Sequence, residues 1–150
     1  MDPERILQHL RSLEGVEILS TEDTHYIFYD PEHDTPHDKR HPIVTIVTSD
    51  AHDQASALHR PGVYRLNMGV GRQRYRALFG PEPSWGKDGG PVDTGHDFTL
   101  LDTLLPHPIY APLSWICILS PSEASWDRVK GLIAEAHAEG KRTYVRHRRG

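Results

Sequence analysis

Cysteine is almost absent from this sequence, whose 150 residues include only Cys117. A single cysteine excludes an internal disulfide and a cysteine-rich zinc site. Cys117 lies in the apolar segment WICIL, which favours a buried, unreactive thiol over a nucleophile. A chain of this length buries roughly two-thirds of its extended surface, so it needs neither a disulfide nor a structural metal to fold.

Long apolar segments are absent as well. No run of apolar residues approaches the roughly 20 that a membrane-spanning helix requires. The first ten residues, MDPERILQHL, also lack the basic region and the apolar stretch of a secretory signal. The sequence therefore predicts a cytoplasmic protein with no membrane partner.

Basic residues are outnumbered by acidic ones. The chain has 17 Lys and Arg against 21 Asp and Glu, a formal charge of −4 with its 11 histidines neutral. This balance disfavours nucleic acid as a partner, because phosphate binding requires a local excess of Lys and Arg. The last ten residues, KRTYVRHRRG, are an exception, with five basic side chains and no acid. A solvated helix end is one interpretation of them. A nucleic-acid contact is the other, and its candidates are Arg142, Arg146, Arg148 and Arg149.

Hydrophobic periodicity predicts helices at the two ends of the chain and strands between them. An apolar stripe at helical spacing follows the N-cap Asp2, and a second follows Pro121 or Ser122. A short helix is predicted over 72–80, whereas 97–105 is ambiguous between helix and extended chain. Period-two and β-branched patterns predict strands over 16–19, 25–29, 43–48, 63–70 and Trp115–Leu119.

This order of elements predicts an α+β fold. Strands in the middle and helices at both ends are typical of a two-layer sandwich. Its sheet would be mostly antiparallel, with the N- and C-terminal helices packed on one face. We expect a single domain over 1–150, with mobile loops near 30–42 and 81–96, where prolines, glycines and charges replace periodicity.

Two segments of the chain resemble an uncharacterised bacterial family. In that family an R-x-N-x-x-V strand precedes an LLPHPxY…W segment and a C-terminal EAH helix. The matching positions here are Arg65, Asn67, Val70, 104–108, Tyr110, Trp115 and 135–137. The resemblance covers most of the chain and implies a fold only, since the family carries no assigned activity.

The layout is more distantly similar to that of the MmcQ/YjbR-like proteins, which have a frataxin-like α/β sandwich. In those proteins a short P-x-Y/H…W-I/V element leads into the last strand. Its counterparts here are Pro108, Tyr110, Trp115 and Ile116. Such proteins have been called DNA-binding by prediction, but the acidic balance of this chain departs from that label. The similarity therefore implies a fold more than a function.

The segment PHP holds His107 between Pro106 and Pro108, whose rings restrain the backbone on both sides. Asp102, five residues earlier, and Tyr110, three residues later, are near enough in sequence to orient the imidazole or to share a ligand. His107 could then be a general base, a ligand-binding group or one metal ligand. The alternative is a histidine that is hydrogen-bonded to the backbone and fixes the segment on the sheet.

Arg65 and Asn67 lie on the polar face of the strand predicted over 63–70. With the apolar face in the core, this polar face would be reachable by solvent or ligand, and Arg65 would suit an anion or carboxylate. A structural salt bridge is the alternative. The candidate ligand-binding residues are therefore His107, Tyr110, Asp102, Arg65, Asn67 and Trp115.

The remaining motifs are weaker. His33, His37 and His41 recur every four residues, but prolines interrupt a helix there, and no HExxH, CxxC or EF-hand motif is present. We therefore predict no metal site and no cofactor. GVGRQR, at 69–74, has the strand, Gly-x-Gly and helix order of a phosphate loop. It lacks the third glycine and the βαβ context, so an exposed helix face is the preferred interpretation.

Three hypotheses follow, and the sequence does not decide between them. The first is a homodimeric binding or interaction module, with a pocket at the His107 segment for an unknown small molecule or protein. The second is an enzyme or a metal-binding protein that uses His107 with Asp102 or other histidines. The third is DNA binding through the basic C-terminal tail.

Overall fold

A computed structural model describes residues 1–149 of the chain, and their side chains as far as Arg148. Its helices are α1 (Pro3–Arg11), α2 (Arg72–Phe79) and α3 (Trp126–Arg149). Its strands are β1 (Val16–Ser20), β2 (Thr24–Tyr29), β3 (Val44–Val47), β4 (Arg65–Gly69), β5 (Leu104–Pro106) and β6 (Trp115–Leu119). The strands form one six-stranded sheet in the order β1-β2-β3-β4-β6-β5, and every neighbouring pair is antiparallel. The predicted α+β class and two-layer arrangement are confirmed.

The N-terminal helix begins where the sequence predicts. Asp2 is the N-cap, and its carboxylate accepts a hydrogen bond from the backbone N–H of Glu4 at 2.8 Å. Pro3 occupies the first helical position, where its missing N–H costs nothing. Buried apolar side chains at helical spacing fix the inward face of α1 on the core.

The two terminal helices lie side by side on the same face of the sheet. The guanidinium of Arg5 forms a salt bridge with Glu123, and the His9 and Trp126 rings meet edge to face with centroids 5.4 Å apart. Further along α3, Gly140 allows close approach to the sheet, because a Cβ there would stand 2.4 Å from Cγ2 of Ile43. None of the helices within residues 1–149 is long and apolar enough to cross a membrane.

The opposite face of the sheet is covered as well, which corrects the expectation of a polar face open to solvent. Arg65 and Asn67 point to this second face, where they are 2% and 1% exposed. The connection from β3 to β4 folds over them, because Asp53 and Ser56 accept hydrogen bonds from the Arg65 guanidinium. A strand with alternating polar and apolar residues is therefore buried on both sides.

In two segments between the main elements, the structure is determined by tertiary contacts rather than by a periodic sequence pattern. Of the ambiguous segment 97–105, only its end joins β5, at the edge of the sheet, where a proline is tolerated. The segment 30–40 connects β2 to β3 and folds back on the sheet. Its Arg40 guanidinium stacks 4.2 Å above the Phe28 ring and bonds Glu17 at 2.7 Å. That the chain forms a single domain over 1–150, and that loops 30–42 and 81–96 are mobile, stay predictions from the sequence.

Candidate functional site

The buried Arg65 lies at the centre of a polar network on the second face of the sheet. Its two terminal nitrogens donate to the two carboxylate oxygens of Asp53 at 3.0 and 2.8 Å, and its Nε donates to Asn67 at 3.0 Å. Asn67 in turn donates to Thr45 on the neighbouring strand at 2.9 Å. Each side-chain nitrogen of the pair therefore donates at least one hydrogen bond within the protein, as in the structural salt bridge that was the alternative.

His107 is buried, and its hydrogen bonds define its tautomer. Its Nδ1 accepts from the backbone N–H groups of Ile109 and Tyr110, both at 3.0 Å. A nitrogen that accepts two N–H groups carries no proton, so the neutral ring holds its proton on Nε2. Burial, aided by the charge of Arg65 and opposed by that of Asp53, lowers the pKa of His107 well below 6.5. This ring can donate a hydrogen bond from Nε2, but it has no free lone pair for a proton or a metal ion.

Asp102 does not approach His107. The backbone N–H of His107 pairs with the carbonyl of Trp115 at the start of β6, whereas that of Asp102 pairs with the carbonyl of Leu119 at its end. The length of the strand, about 13 Å, separates them. The Asp102 carboxylate accepts from the backbone N–H of Ser122 at 2.9 Å. The predicted pairing of Asp102 with His107 is therefore not formed.

Two aromatic rings contact His107, and a third contacts one of them. Tyr110 lies 5.1 Å from the imidazole between ring centroids, and Trp115 lies perpendicular to it at 6.3 Å. Trp115 also rests on the backbone of Gly69, since a Cβ there would stand 2.8 Å from Cε2 of the indole. Trp85 meets Tyr110 edge to face at 6.2 Å. His107 thus helps to fix the indole of Trp115.

The histidines of the 30–42 loop do not form a ligand set. His33, His37 and His41 are all exposed. Within the part of the chain that the structure describes, no group of three or more His, Cys, Asp or Glu side chains is placed to hold a metal ion. Cys117 is fully buried, and burial raises the pKa of its thiol to about 12. Its interpretation as an unreactive core residue fits this position.

An open cleft of about 930 Å³ lies at one end of the sheet. Here β2 and β4 end and β3 and β6 begin, because neighbouring strands are antiparallel. The cleft is lined mainly from 39–43, 69–73, 112–115 and 139–148, and we call it the basic cleft. Arg65, Asn67 and His107 do not line it. They are at most 3% exposed, so the predicted pocket between them is closed.

Positive charge dominates the basic cleft, although the whole chain is acidic. Its basic lining residues are Lys39, Arg40, Arg72, Arg142, Arg146 and Arg148, with His41 and His147 beside them. Among the described side chains of the lining, the acids are Glu82 and Glu139. Both acids are neutralised, Glu82 by Arg76 at 2.9 Å and Glu139 by Arg142 at 2.6 Å. Hydrogen bonds from Arg76 lower the pKa of Glu82 to about 2, so this carboxylate stays charged and paired.

Three cations of the basic cleft have no salt-bridge partner among the side chains that the structure describes. Arg40 pairs with Glu17, and Arg148 pairs with Asp34. The remaining unpaired cations are Lys39, Arg72 and Arg146. The side chain of Arg40 is 5% exposed, and its Nε is buried without a hydrogen-bond partner among the described residues. The cleft thus has cationic capacity that the protein itself does not use.

The start of α2 opens into the same cleft. Gly71 is its N-cap with φ of +87°, a conformation that favours glycine, and none of the described side chains caps the helix. A Cβ on Gly71 would stand 2.9 Å from Oε2 of Glu139, so the Glu139 carboxylate lies close to the start of α2. The first turn contains no acid, yet it begins with Arg72. Most of the GVGRQR motif, 69–73, therefore lines the basic cleft together with the start of α2.

The candidate residues fall into two groups. Trp115 lines the basic cleft, together with Arg142, Arg146 and Arg148 of the basic tail. The other ligand-binding candidates lie elsewhere, and the side chain of Arg149 lies outside the described residues. Sequence reasoning missed Lys39 and Arg40, since the fold alone brings their loop to the tail. It noted Arg72 within GVGRQR but preferred a solvent-exposed helix face.

Comparison with known proteins adds a family and no activity. No curated protein and no solved structure matches the chain. The distant similarity to MmcQ/YjbR-like proteins therefore stays a prediction. The family model DUF6194, described as a family of unknown function, matches residues 1–149. The chain belongs to this family, which fits the expectation of an uncharacterised one.

Proposed function

We propose that this protein binds a small anionic molecule in the basic cleft. The observation that carries the proposal is the concentration of charge: six Lys and Arg side chains line the cleft against two acids, in a chain of formal charge −4. The volume of about 930 Å³ suits a small molecule. This proposal keeps the binding-module hypothesis but moves the site from the His107 segment to the end of the sheet.

The charge of the ligand follows from the three unpaired cations. Lys39, Arg72 and Arg146 come from a loop, a helix start and the tail of α3, so a single anion between them would neutralise charges from three elements. Arginine binds phosphate and carboxylate through paired N–H groups, and these charge-assisted bonds are the stronger kind. A ligand with two or three negative charges is the best complement.

Arg72 supports the proposal because its position is unfavourable without a ligand. The positive end of the helix dipole repels a cation in the first turn, which costs about 0.3–1 kcal/mol. The free N–H groups of this turn also favour an anion. The arginines near the end of α3 have an ordinary explanation, since cations stabilise a helix C-terminus. The helix dipole explains neither Arg72 at the start of α2 nor Arg128 at the start of α3, but of these two only Arg72 lines the basic cleft.

The test is a charge reversal of Arg72, with inorganic pyrophosphate as the probe. Arg128 provides the control, because it is also exposed in the first turn of a helix but does not line the cleft. We expect Arg72→Glu to weaken pyrophosphate binding about tenfold or more in calorimetric titration, since a charged hydrogen bond is lost. Arg128→Glu should bind as the unaltered protein does.

The melting temperatures of the variants distinguish a role of Arg72 in ligand binding from a role in the stability of the fold. An acid in the first turn favours the helix dipole, so neither variant should lower the melting temperature. Equal loss of binding in both variants, or none in either, would overturn the proposal. So would undetectable pyrophosphate binding by the unaltered protein at low salt.

The other hypotheses from the sequence are untested and stay predictions. A histidine-dependent enzyme is disfavoured by the arrangement at His107, where the lone pair of Nδ1 is already used. We keep a cytoplasmic location and a homodimer as proposals from the sequence.

A further inference from the structure

The chemistry of the ligand can be specified further from the wall of the basic cleft. Trp115 lines the cleft and is held on two sides. Its indole rests against the backbone of Gly69, with Cε2, Cζ2 and Nε1 at 2.8, 3.0 and 3.1 Å from the Cβ position of that residue. The imidazole of His107 meets the indole at 89° with centroids 6.3 Å apart. A half-buried aromatic ring that is fixed in this way presents a rigid, flat surface.

This flat surface lies beside the anion-binding groups. Gly69, under the indole, precedes Arg72 by three residues, so the Cα atoms of these two residues are within about 11 Å of each other. Leu113, which is 59% exposed, lines the cleft next to Trp115 and adds apolar surface. The cleft therefore has an apolar, aromatic side and a cationic side, and a suitable ligand has both characters.

We infer that the ligand is a nucleoside phosphate whose base stacks on Trp115 and whose phosphates lie at the start of α2 near Arg72. This inference rests on the proposed anion binding and names its ligand class. Stacking of a base on an aromatic side chain contributes about 1–3 kcal/mol and tolerates every base, because each has a π face. The acidic remainder of the chain disfavours a long nucleic acid on the same surface.

Calorimetric titrations with adenosine diphosphate and pyrophosphate test the inference. Adenosine diphosphate should bind at least fivefold more tightly than pyrophosphate, as about 1 kcal/mol of stacking implies. Trp115→Leu should weaken adenosine diphosphate binding by a similar factor and change pyrophosphate binding less than about twofold. Trp115→Phe, which keeps a ring, should retain most of the affinity. Trp85→Leu is the control, since Trp85 is exposed and lies outside the cleft lining.

The outcomes separate this inference from the proposed function. Pyrophosphate binding without a gain for adenosine diphosphate would overturn the nucleoside phosphate and leave the anion site. Failure of both probes to bind would overturn the anion site itself. A single-stranded octanucleotide that binds more tightly than adenosine diphosphate would replace the mononucleotide with nucleic acid. If Trp115→Leu does not fold, Gly69→Ala displaces the indole instead, and the same comparison of the two probes decides.

Discussion

At the scale of single residues, His107 shows how burial decides what a histidine can do. Its Nδ1 accepts two backbone N–H groups, and its pKa lies well below 6.5 because of burial first and Arg65 second. The folded protein therefore keeps this ring neutral at pH values where the unfolded chain protonates it. The unfolded state binds more protons below about pH 6.5, so stability is complete above that pH and falls as the pH decreases.

This gives a prediction for the pH dependence of unfolding. For the unaltered protein, the His107 contribution to the slope of unfolding free energy should approach about 1.4 kcal/mol per pH unit below pH 6.5. His107→Gln keeps an acceptor for the backbone N–H groups but cannot be protonated, so it should lose this contribution. Urea unfolding at several pH values between 5 and 8 measures the difference.

The measurement must compare the unaltered protein with His107→Gln, because His9 also contributes to the pH dependence of the unaltered protein. Burial, with Lys130 second, also lowers the pKa of His9, so the unaltered protein has more than one histidine that destabilises it in acid. The slope that disappears in His107→Gln belongs to His107 alone. Identical slopes for the two proteins would mean that His107 titrates normally and that its Nδ1 is not held unprotonated by the backbone.

At the scale of elements, the basic cleft depends on how α3 passes the start of α2. Glu139 on α3 lies against Gly71, and it holds Arg142 through bonds of 2.6 and 3.1 Å. A carboxylate thus occupies space at a helix N-terminus, where an anionic ligand would also be favoured. The ligand and Glu139 should therefore oppose each other.

Removal of this carboxylate should strengthen anion binding. Glu139→Gln removes a negative charge and frees Arg142, and we expect pyrophosphate to bind about fivefold more tightly, or about 1 kcal/mol. Glu135→Gln is the matched control, because Glu135 lies one turn earlier, pairs with Arg74 at 2.8 Å and does not line the cleft. Titration at low and physiological salt measures the effect. Weaker binding in Glu139→Gln would show that Glu139 orders the cleft rather than competing with the ligand.

Elements that depend on local patterns were predictable from the sequence, whereas elements that depend on distant contacts were not. The core of every predicted helix and strand is confirmed, because periodic patterns are local. The 97–105 segment was ambiguous, since only pairing with β6 makes its end a strand. The candidate site was harder to predict than these elements. Arg65 looked accessible because Asp53, which buries it, lies 12 residues away in a connection without periodicity.

The basic cleft could be predicted only in fragments. Sequence reasoning noted Trp115, the GVGRQR segment and the tail arginines separately. The antiparallel pairing of β4 with β3 and β6 brings the first two to one end of the sheet, and the length of α3 brings the tail there. A cation at the start of α2 is one local signal, but Arg128 at the start of α3 shows that the same signal also occurs outside the cleft.

At the scale of the whole molecule, the distribution of charge matters more than the total. The chain carries 17 basic and 21 acidic side chains, and the basic cleft takes six of the former and two of the latter. The rest of the surface is therefore more acidic than the sequence average. A small anion can enter the cleft, but a long polyanion must also approach this acidic surface.

This distribution predicts a difference between small and large anions. At about 0.15 M salt, where the Debye length is about 8 Å, a 20-base-pair duplex should bind more weakly than pyrophosphate or not at all. Fluorescence anisotropy of a labelled duplex measures this. The control is a chain truncated after residue 140, which lacks Arg142, Arg146 and Arg148 and should lose pyrophosphate binding. Duplex binding that is tight at this salt and lost on truncation would instead support DNA binding through the tail.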